Sequence, residues 1–324
     1  GEKAEVLDGK SFNFFETRYT LENDLRIAII IPTKNHGELV RQCIDSIERT
    51  VSGIDYDIIL IDHASDDKRS LEYFEEISNS HTVLRYEGEF NFSTINNWGV
   101  KQLTKNYSHY LLCNNDIEAL HEGWLERMLE LAQKRDIGIV GAKLYYAEPR
   151  TIQHAGVCVG MFGAAEHYGK FMGENLPDGS GVHPGYIGSL ITNHEMSAVT
   201  AACMLIRRDV FEYVRGFDEH AKVGFGDVDL CLRVREAGYR IIFCPHAELI
   251  HHESISRGKS TSDPHPEDSV YFLNRWKPFI NKGDPYYNPN LTLFNTYWSL
   301  KRSEEFQWER EKMQPRRSFR AIPN

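Results

Sequence analysis

Asn114, Asn115 and Asp116 directly follow the apolar run of residues 110–113, at the point where a strand would end. Hard divalent cations such as Mg²⁺ and Mn²⁺ take oxygen ligands, often one or two carboxylates together with the phosphate oxygens of a substrate. Asp116 could therefore hold a cation, or it could only cap the segment that follows. His251 closes another predicted strand and could complete a cation site, but the chain has 14 histidines and spacing alone decides nothing.

Asp62 ends a second apolar run and begins a polar segment, residues 62–67. A carboxylate at a strand end can accept hydrogen bonds from a base imide or a ribose hydroxyl. The alternative is capping of the next helix, which suits Ser65, Asp66 and Asp67 better than Asp62.

Asp227 and Asp229 lie at the start of a predicted helix, residues 227–237, where acidic side chains are favourable for helix stability alone. A carboxylate can also be the base that takes a proton from an attacking hydroxyl. Asp229 and Arg233 are four residues apart on one helix face, which predicts that Asp229 is paired structurally.

The elements that must position these residues alternate between apolar strands and amphipathic helices from residue 26 onward, which predicts an α/β fold with a mostly parallel sheet flanked by helices. Pro32 is expected to stop the first strand. In open sheets of this kind ligands bind outside the carboxyl ends of the strands, where residues 32–35, 62–67 and 114–116 all fall. The predicted strands are residues 27–31, 57–62, 82–86 and 110–113, and the helices include residues 68–77 and 94–103.

The second half of the chain is less regular. Its glycine-rich stretch, residues 156–188, has few strong patterns and predicts a mobile loop or lid over the site. Residues 1–24 show no clear period and predict an N-terminal arm lying on the domain. The remaining predictions are helices at residues 124–133, 209–213 and 227–237, strands at residues 138–144, 198–206, 240–244 and 248–250, and a basic tail at residues 308–324.

Composition excludes several classes of protein. With 324 residues and 41% hydrophobic content the chain can bury a large core, and its formal net charge of −10 argues against a general grip on nucleic acid or anionic lipid. Its six cysteines are scattered singly, which predicts reduced core residues in a cytosolic protein. No apolar run approaches a membrane span and no signal peptide is apparent, so we expect a soluble, cytoplasmic chain, with association at the inner face of the membrane or membership of a longer enzyme left open.

Taken together, these residues resemble the family 2 glycosyltransferases. The match covers roughly residues 26–258, and seven segments occur in the family's order. They are residues 30–33, 61–67, 90–93 with Asn96 and Asn97, 114–116, 216–219, 227–233 and 247–252. Two further segments, residues 151–156 and 284–291, resemble a subgroup that builds bacterial surface polysaccharides, including rhamnose-containing ones.

The resemblance implies a GT-A fold and a metal-dependent, inverting transfer of sugar from a UDP- or dTDP-sugar to a growing cell-surface polysaccharide or lipid-linked glycan, without nucleic acid as a partner. It implies that Asp227 is the general base and that Asp116 and His251 bind Mn²⁺ or Mg²⁺. Pro32, Thr33 and Asp62 would hold the nucleoside. Asn96, Asn114 and Asn115 are further donor-binding candidates, and His154, Trp276 and Tyr286 are candidates for the acceptor side.

Two departures from the family pattern bear on activity. The acidic triplet contains one carboxylate, Asp116, which predicts weak metal affinity in the absence of donor. Gly226 stands where many members have Glu before the base; this supports Asp227 as the base and leaves room for an impaired domain.

The predicted organisation is an N-terminal arm (residues 1–25), a glycosyltransferase domain (26–258, with a nucleotide-binding half at 26–120 and an acceptor half at 121–258) and an aromatic-rich C-terminal extension and tail (259–324). Two other functions compete with transfer. A sugar-phosphate nucleotidyltransferase would need a glycine-rich basic loop after the first strand, which residues 32–37 do not provide. A non-catalytic glycan-binding or scaffold domain could instead use the C-terminal aromatic residues to stack on sugars.

Overall fold

The computed structural model of the chain describes residues 3–252 and 263–305. The predicted boundary at residue 258 and the basic tail at residues 308–324 lie outside the described residues. The predicted divisions after residues 25 and 120 remain predictions.

The N-terminal arm is an antiparallel hairpin of β1 (Ala4–Asp8) and β2 (Phe15–Tyr19). Its contacts with the main domain include the ion pairs of Arg18 with Glu130 at 2.8 Å and of Glu16 with Arg127 at 2.6 Å. Its strand pairing was not apparent from the sequence because both strands are exposed or half-buried and so lack the apolar alternation of a core strand.

The first half of the domain alternates strands and helices, as the sequence predicts. Its elements are β3 (Arg26–Thr33), α1 (Gly37–Thr50), β4 (Asp55–His63), α2 (Lys68–Ile77), β5 (Thr82–Tyr86), α3 (Phe92–Lys101) and β6 (His109–Cys113). The expectation that Pro32 stops the first strand is wrong. Strand β3 pairs with β6 only through Ile30 but continues beside β4 through Thr33, so the missing N–H of Pro32 falls where the β6 ladder has already ended.

The second half contains two long strands, several short ones and three α-helices. Its elements are β7 (Ile117–Ala119), α4 (Trp124–Ala132), β8 (Ile137–Tyr145), β9 (Ile152–His154), β10 (Val157–Val159), β11 (Ala165–His167), β12 (His194–Glu195), β13 (Cys203–Arg207), α5 (Arg208–Tyr213), α6 (Gly226–Glu236) and β14 (Arg240–His251). The two strands predicted at residues 240–244 and 248–250 are one strand, β14, with a register shift between Cys244 and Glu248. Residues 198–202 precede β13 rather than belonging to it. The C-terminal extension supplies α7 (Pro266–Lys282).

A ten-stranded mixed sheet organises the domain in the order β12-β14-β8-β13-β6-β3-β4-β5, with β7 paired to β14 and β9 to β8. Strands β6, β3, β4 and β5 are parallel, β13 runs antiparallel between β6 and β8, and β14 is parallel to β8. The carboxyl ends of β3, β4, β6 and β14 therefore lie at one edge of the sheet.

Apolar layers cover both faces of this sheet. In β3, Ile27, Ile29 and Ile31 belong to one core cluster, with side chains of α1, α2 and α4. Ala28 and Ile30 belong to the opposite cluster, with side chains of α3, α5, α6 and α7. A strand buried on both faces reads as a continuous apolar run, which is why the sequence locates β3 well.

The glycine-rich stretch is packed more closely than its sequence predicts. It contains the small sheet of β10 and β11 and two 3₁₀ turns. Cys158, Met161 and Tyr168 from this stretch are buried in a third cluster with Tyr287 and Leu291 of the C-terminal extension. Its motion as a lid remains a prediction.

All six cysteines are buried and free, as expected for core residues. Among residues 3–252 and 263–305, no helix has both the length and the apolar character needed to cross a membrane.

Candidate active site

The ends of β3 and β6 are joined by polar side chains. Asn115 Nδ2 donates to Thr33 Oγ1 at 2.8 Å, and Thr33 Oγ1 donates to the carbonyl of Asn35 at 3.1 Å. Thr33 is only 5% exposed, and Pro32 and Asn115 are half-buried. The structure thus brings together three of the residues predicted to hold a donor.

Asp62 lies beside Thr33 in the β3–β4 register, at the same edge. One carboxylate oxygen accepts from the backbone N–H of Ser65 at 2.9 Å and the other from Arg85 at 2.8 Å. The side chain is nearly buried, so a nucleoside would have to share or displace one of these bonds. The capping prediction for this segment is confirmed at Asp67, which accepts from Ser70 N–H at the start of α2.

Asp116 and His251 meet at the ends of β6 and β14. Asp116 Oδ1 lies 3.1 Å from His251 Nε2, and Asn114 Nδ2 lies 3.2 Å from the same nitrogen. Burial alone would raise the pKa of Asp116, but a proton on the facing Nε2 of His251 supplies a hydrogen bond and a charge that outweigh burial, and the pKa lies below its ordinary value of 3.8. Asp116 is therefore an ionised carboxylate near neutral pH.

Gln153 fixes the orientation of the His251 ring, because its Oε1 lies 2.7 Å from His251 Nδ1. An amide oxygen only accepts, so Nδ1 carries the hydrogen and a neutral ring keeps its lone pair on Nε2. That lone pair faces the Asp116 carboxylate, an arrangement that a proton or a cation between them would stabilise. A carboxylate and an oriented imidazole suit Mn²⁺ or Mg²⁺ as two protein ligands. Within the described residues no group of three or more His, Cys, Asp or Glu side chains could hold a metal ion.

Asp227 lies in the first turn of α6 and is half-buried. Its Oδ2 accepts from the backbone N–H of Ala201 at 3.1 Å, and its Oδ1 accepts from Val228 N–H at 2.8 Å. The preceding Phe225 has a left-handed backbone, with φ of 60°, which a non-glycine residue keeps only where its surroundings hold it.

The segment before β13 connects the base candidate with the metal candidates. The backbone N–H of Ala201 donates to Asp227, and the carbonyl of Ala202 accepts from Asn114 N–H at 2.9 Å. Asp227 and the Asn114–Asp116 turn are thus bound to adjacent residues of one segment. The donor candidates, the metal candidates and the base candidate therefore lie at one edge of the sheet.

Residues 28–215 match the family described as Glycosyl transferase family 2, which is more than half of the chain. The chain belongs to glycosyl transferase family 2.

Curated relatives of this glycosyltransferase are longer proteins. It is 40% identical over 291 residues to "Uncharacterized protein y4gI" of Sinorhizobium fredii, covering 86% of this chain and 30% of that protein. It is 35% identical over 328 residues to "O-antigen biosynthesis protein RfbC" of Myxococcus xanthus, covering 100% of this chain and 24% of that protein. The chain thus spans roughly a quarter to a third of their length. A shorter match, 35% over 78 residues (23% of this chain, 25% of that protein), is to an N-acetylglucosaminyl-diphospho-decaprenol L-rhamnosyltransferase of Mycobacterium tuberculosis.

Solved structures share the fold at low sequence identity. The mannosyltransferase PcManGT from Pyrobaculum calidifontis, in complex with GDP-Man and Mn²⁺, superposes with a TM-score of 0.52 at 13% identity, covering 81% of this chain and 72% of that one. GalNAc-T7 with UDP, GalNAc and Mn²⁺ gives 0.56 at 14% identity, covering 79% and 50%. The predicted GT-A fold, with a mostly parallel sheet flanked by helices, is confirmed.

Sequence reasoning missed the part that α7 plays in this transferase. The Asp268 carboxylate accepts from the backbone N–H groups of Lys222, Val223 and Gly224 at 3.1, 2.8 and 2.7 Å. The ring of Phe272 stacks on Phe225 with centroids 4.8 Å apart. Helix α7 therefore holds the loop that leads into Asp227. Pro266 and the acidic residues after it signal a helix start, but no sequence pattern shows which loop the helix meets.

Asn96 and His154 do not face a ligand in this structure. Both are 0% exposed. Asn96 donates within α3 to the carbonyl of Phe92 at 2.8 Å, while its neighbour Asn97 binds the backbone of Phe217. Burial lowers the pKa of His154 well below 6.5, and its ring packs edge-to-face on Phe243. Each side chain is enclosed by the core in this structure, so the structure gives no support to direct donor or acceptor contact, and that role stays a prediction for both.

Trp276 is also misplaced by the sequence interpretation, whereas Tyr286 is accessible. Trp276 is 5% exposed and its indole donates to Asp229 Oδ1 at 2.9 Å, so it offers no stacking face to an acceptor. Asp229 also pairs with Arg233 at 2.7 Å, which confirms its structural role. Tyr286 is 38% exposed, with its hydroxyl 2.9 Å from Glu195.

Proposed function

We propose that this chain transfers a sugar from a UDP- or dTDP-sugar, with rhamnose as one candidate sugar, to a hydroxyl of a growing cell-surface polysaccharide or lipid-linked glycan. The observation that carries the proposal is that Ala201 donates to Asp227 while the next residue, Ala202, accepts from the backbone N–H of Asn114, which begins the turn that carries Asp116 and its partner His251. Family membership and the names of the O-antigen and rhamnosyltransferase relatives support the class of reaction and acceptor.

In the proposed reaction Asp227 accepts the proton of the acceptor hydroxyl as its oxygen attacks the anomeric carbon. The new C–O bond forms on the face opposite the diphosphate, the bond to the diphosphate oxygen breaks, and the configuration inverts. The hydrogen bonds from Ala201 and Val228 hold the carboxylate in place for this step.

On the donor side, Thr33, Asp62 and Asn115 are proposed to position the nucleoside at the strand ends. Asp116 and His251 would hold Mn²⁺ or Mg²⁺, and Gln153 would keep His251 Nε2 directed at the site. When bound, the cation supplies charge neutralisation for the departing nucleoside diphosphate. Both solved structures compared above contain Mn²⁺ with a nucleotide or nucleotide sugar, which supports this assignment.

Placement in the cytoplasm, with association at the inner face of the membrane left open, remains a prediction. Fractionation of cells that express the protein would test it.

A thermal-shift panel of UDP, dTDP and GDP, each with and without Mn²⁺, tests the site directly, because a ligand that binds only the folded chain raises the unfolding temperature, and the rise grows with the logarithm of its concentration relative to its dissociation constant. We expect a pyrimidine nucleotide to stabilise the chain and Mn²⁺ to increase that shift. Asp116→Asn should lose the increase due to Mn²⁺. Asp45→Asn, an exposed carboxylate on α1, is the matched control and should keep it.

Two results would contradict the proposal. One is an unchanged Mn²⁺ effect in Asp116→Asn, which would remove Asp116 from the metal site. The other is the absence of any stabilisation by nucleotides together with the absence of transfer or donor hydrolysis.

A further inference from the structure

A second cavity lies away from the candidate active site, between the glycine-rich stretch and the C-terminal extension. Its volume is about 200 Å³. Tyr286, on its wall, contacts Arg235 at the far end of α6, with the guanidinium 4.8 Å from the ring centroid. Arg235 is eight residues from Asp227, or about 12 Å along the helix axis. The cavity is therefore separate from the place where transfer is proposed.

Aromatic rings and neutral polar groups form its wall. Its lining includes five aromatic side chains, Tyr168, Tyr186, Tyr286, Tyr287 and Trp298. No Asp, Glu, Lys or Arg side chain is among the described residues that line it. A phosphate group would find no counter-charge in such a wall, whereas the C–H faces of a neutral sugar ring suit aromatic rings.

Several polar groups of the wall are already hydrogen-bonded to neighbouring groups. Tyr168 Oη lies 2.9 Å from His194 Nε2, and Asn288 Nδ2 donates to Tyr186 Oη at 2.7 Å. Ser189 Oγ is buried in the wall and has no hydrogen-bond partner among the described residues. This oxygen has almost no solvent-accessible surface, so it does not face the open cavity, and the aromatic rings are the groups that a ligand would meet.

The size of the cavity selects the ligand. At about 200 Å³ it is smaller than the roughly 300–1,000 Å³ of pockets that enclose drug-sized molecules. It can take one pyranose ring but not a nucleotide sugar. The rim is open to solvent, because Ile187 is 79% exposed and Tyr286 is 38% exposed, so a ring within a longer glycan could enter.

We propose that this cavity is a second, non-catalytic saccharide subsite that binds one neutral pyranose unit of the glycan acceptor, away from the unit being extended. The identity of the ligand as acceptor rests on the proposed glycosyltransferase function, but the binding of a neutral sugar ring does not. Such a subsite would hold the growing chain while its end reaches Asp227.

Saturation-transfer NMR on the chain with methyl glycosides of rhamnose, mannose, galactose and N-acetylglucosamine tests this subsite. We expect saturation of the ring protons of at least one glycoside, and we expect it to persist when UDP and Mn²⁺ are added in excess. Trp298→Ala should weaken this binding by about fivefold or more, as loss of one ring face predicts. Tyr297→Ala is the matched control, because Tyr297 is the adjacent aromatic residue, is 50% exposed and does not line the cavity.

A second variant guards against an effect of misfolding. Tyr286→Ala removes a second ring face at the exposed rim, where the side chain is 38% exposed, so we expect its unfolding temperature to change little while glycoside binding weakens by about fivefold. Three results would overturn the subsite: no saturation with any glycoside, saturation abolished by UDP with Mn²⁺, or equal saturation in Trp298→Ala and Tyr297→Ala. This experiment measures binding and requires no turnover of a donor. A chain that binds glycosides but does not transfer sugar would therefore contradict the proposed function and leave the subsite in place.

Discussion

Two regions of the site are built in different ways. The donor edge, made of Thr33, Asp62 and the turn at residues 114–116, follows directly from the ends of neighbouring parallel strands. The base segment, residues 216–229, is held by residues distant in sequence, among them Ala201, Asp268 and Asn97. The order of the strands places the first region directly, whereas the second depends on contacts between distant parts of the chain, including those that form when the C-terminal extension packs on the domain.

The largest expected effect tests whether Asp227, in the base segment, accepts the proton during sugar transfer. Asp227→Asn keeps the size of the side chain and one acceptor oxygen but removes the proton acceptor, so we expect transfer to fall by about 10²–10⁴-fold. Nucleotide binding should remain, since the donor edge is untouched. The measurement is kcat for transfer, together with a nucleotide titration.

Asp229→Asn is the contrasting variant two residues away. Its carboxylate is nearly buried between Arg233 and Trp276, so we expect a lower unfolding temperature and a smaller loss of kcat in the protein that remains folded. If Asp229→Asn abolishes kcat while Asp227→Asn retains it, the assignment of the base is wrong.

The next effect tests the outer support of the metal pair. Gln153→Ala removes the acceptor that keeps His251 Nδ1 protonated and Nε2 bare. Loss of such a partner weakens metal affinity by about 10–100-fold, so the Mn²⁺ concentration for half-maximal activity should rise by that factor. Gln133→Ala, whose side chain bonds to backbone groups of the N-terminal arm, is the control and should leave the Mn²⁺ dependence unchanged. An unaltered Mn²⁺ dependence in Gln153→Ala would show that Gln153 does not orient a ligand.

A smaller effect tests the claim that α7 holds the base segment. Asp268→Ala leaves three backbone N–H groups in the loop before Asp227 without their carboxylate partner. We expect a loss of stability of about 1–3 kcal/mol and a drop in kcat of roughly tenfold, because the loop is no longer fixed. Urea unfolding and kcat measure the two effects. The adjacent Glu267→Gln, exposed on the same helical turn, should change neither, and a normal kcat in Asp268→Ala would separate α7 from catalysis.

The contrast between the regions also explains what could be predicted from the sequence. The apolar runs of β3, β4 and β6 located the donor edge, because strands buried on both faces have a clear signature. Motif order leads to Asp227 and His251 as candidates for the base and a metal ligand, and these roles remain proposals. No sequence pattern separates Gln153, which contacts His251, from its neighbour His154, because a three-residue strand has no period that shows which side chain points where. The pairing of Asp268 with the backbone at residues 222–224 links positions more than 40 residues apart, and no local pattern encodes it.

Acid is expected to lower the stability of the chain through a histidine that lies outside both regions, while the base segment keeps its charges. At the amino end of β6, burial lowers the pKa of His109 to about 4, so the folded chain keeps this ring neutral. In the base segment, burial would raise the pKa of Asp218, but hydrogen bonds from Tyr271, His220 and Arg275 outweigh it and hold the pKa well below its usual range. Asp218 therefore stays ionised at pH 5.

Between pH 6.5 and pH 4 the unfolded chain binds a proton at His109 that the folded chain refuses, so stability falls as the pH falls through this window. Because the pKa of His109 is lowered to about 4 in the folded chain, this residue lowers the free energy of unfolding by about 2 kcal/mol at pH 5 relative to pH 8. His109→Gln keeps a donor for the Ala132 carbonyl, which lies 3.2 Å from His109 Nε2. Between pH 8 and pH 5 the variant should lose about 2 kcal/mol less stability than the wild type. The other buried histidines are common to both proteins and cancel in the comparison. Urea unfolding at the two pH values measures the difference, and equal losses in both proteins would mean that His109 titrates normally in the fold.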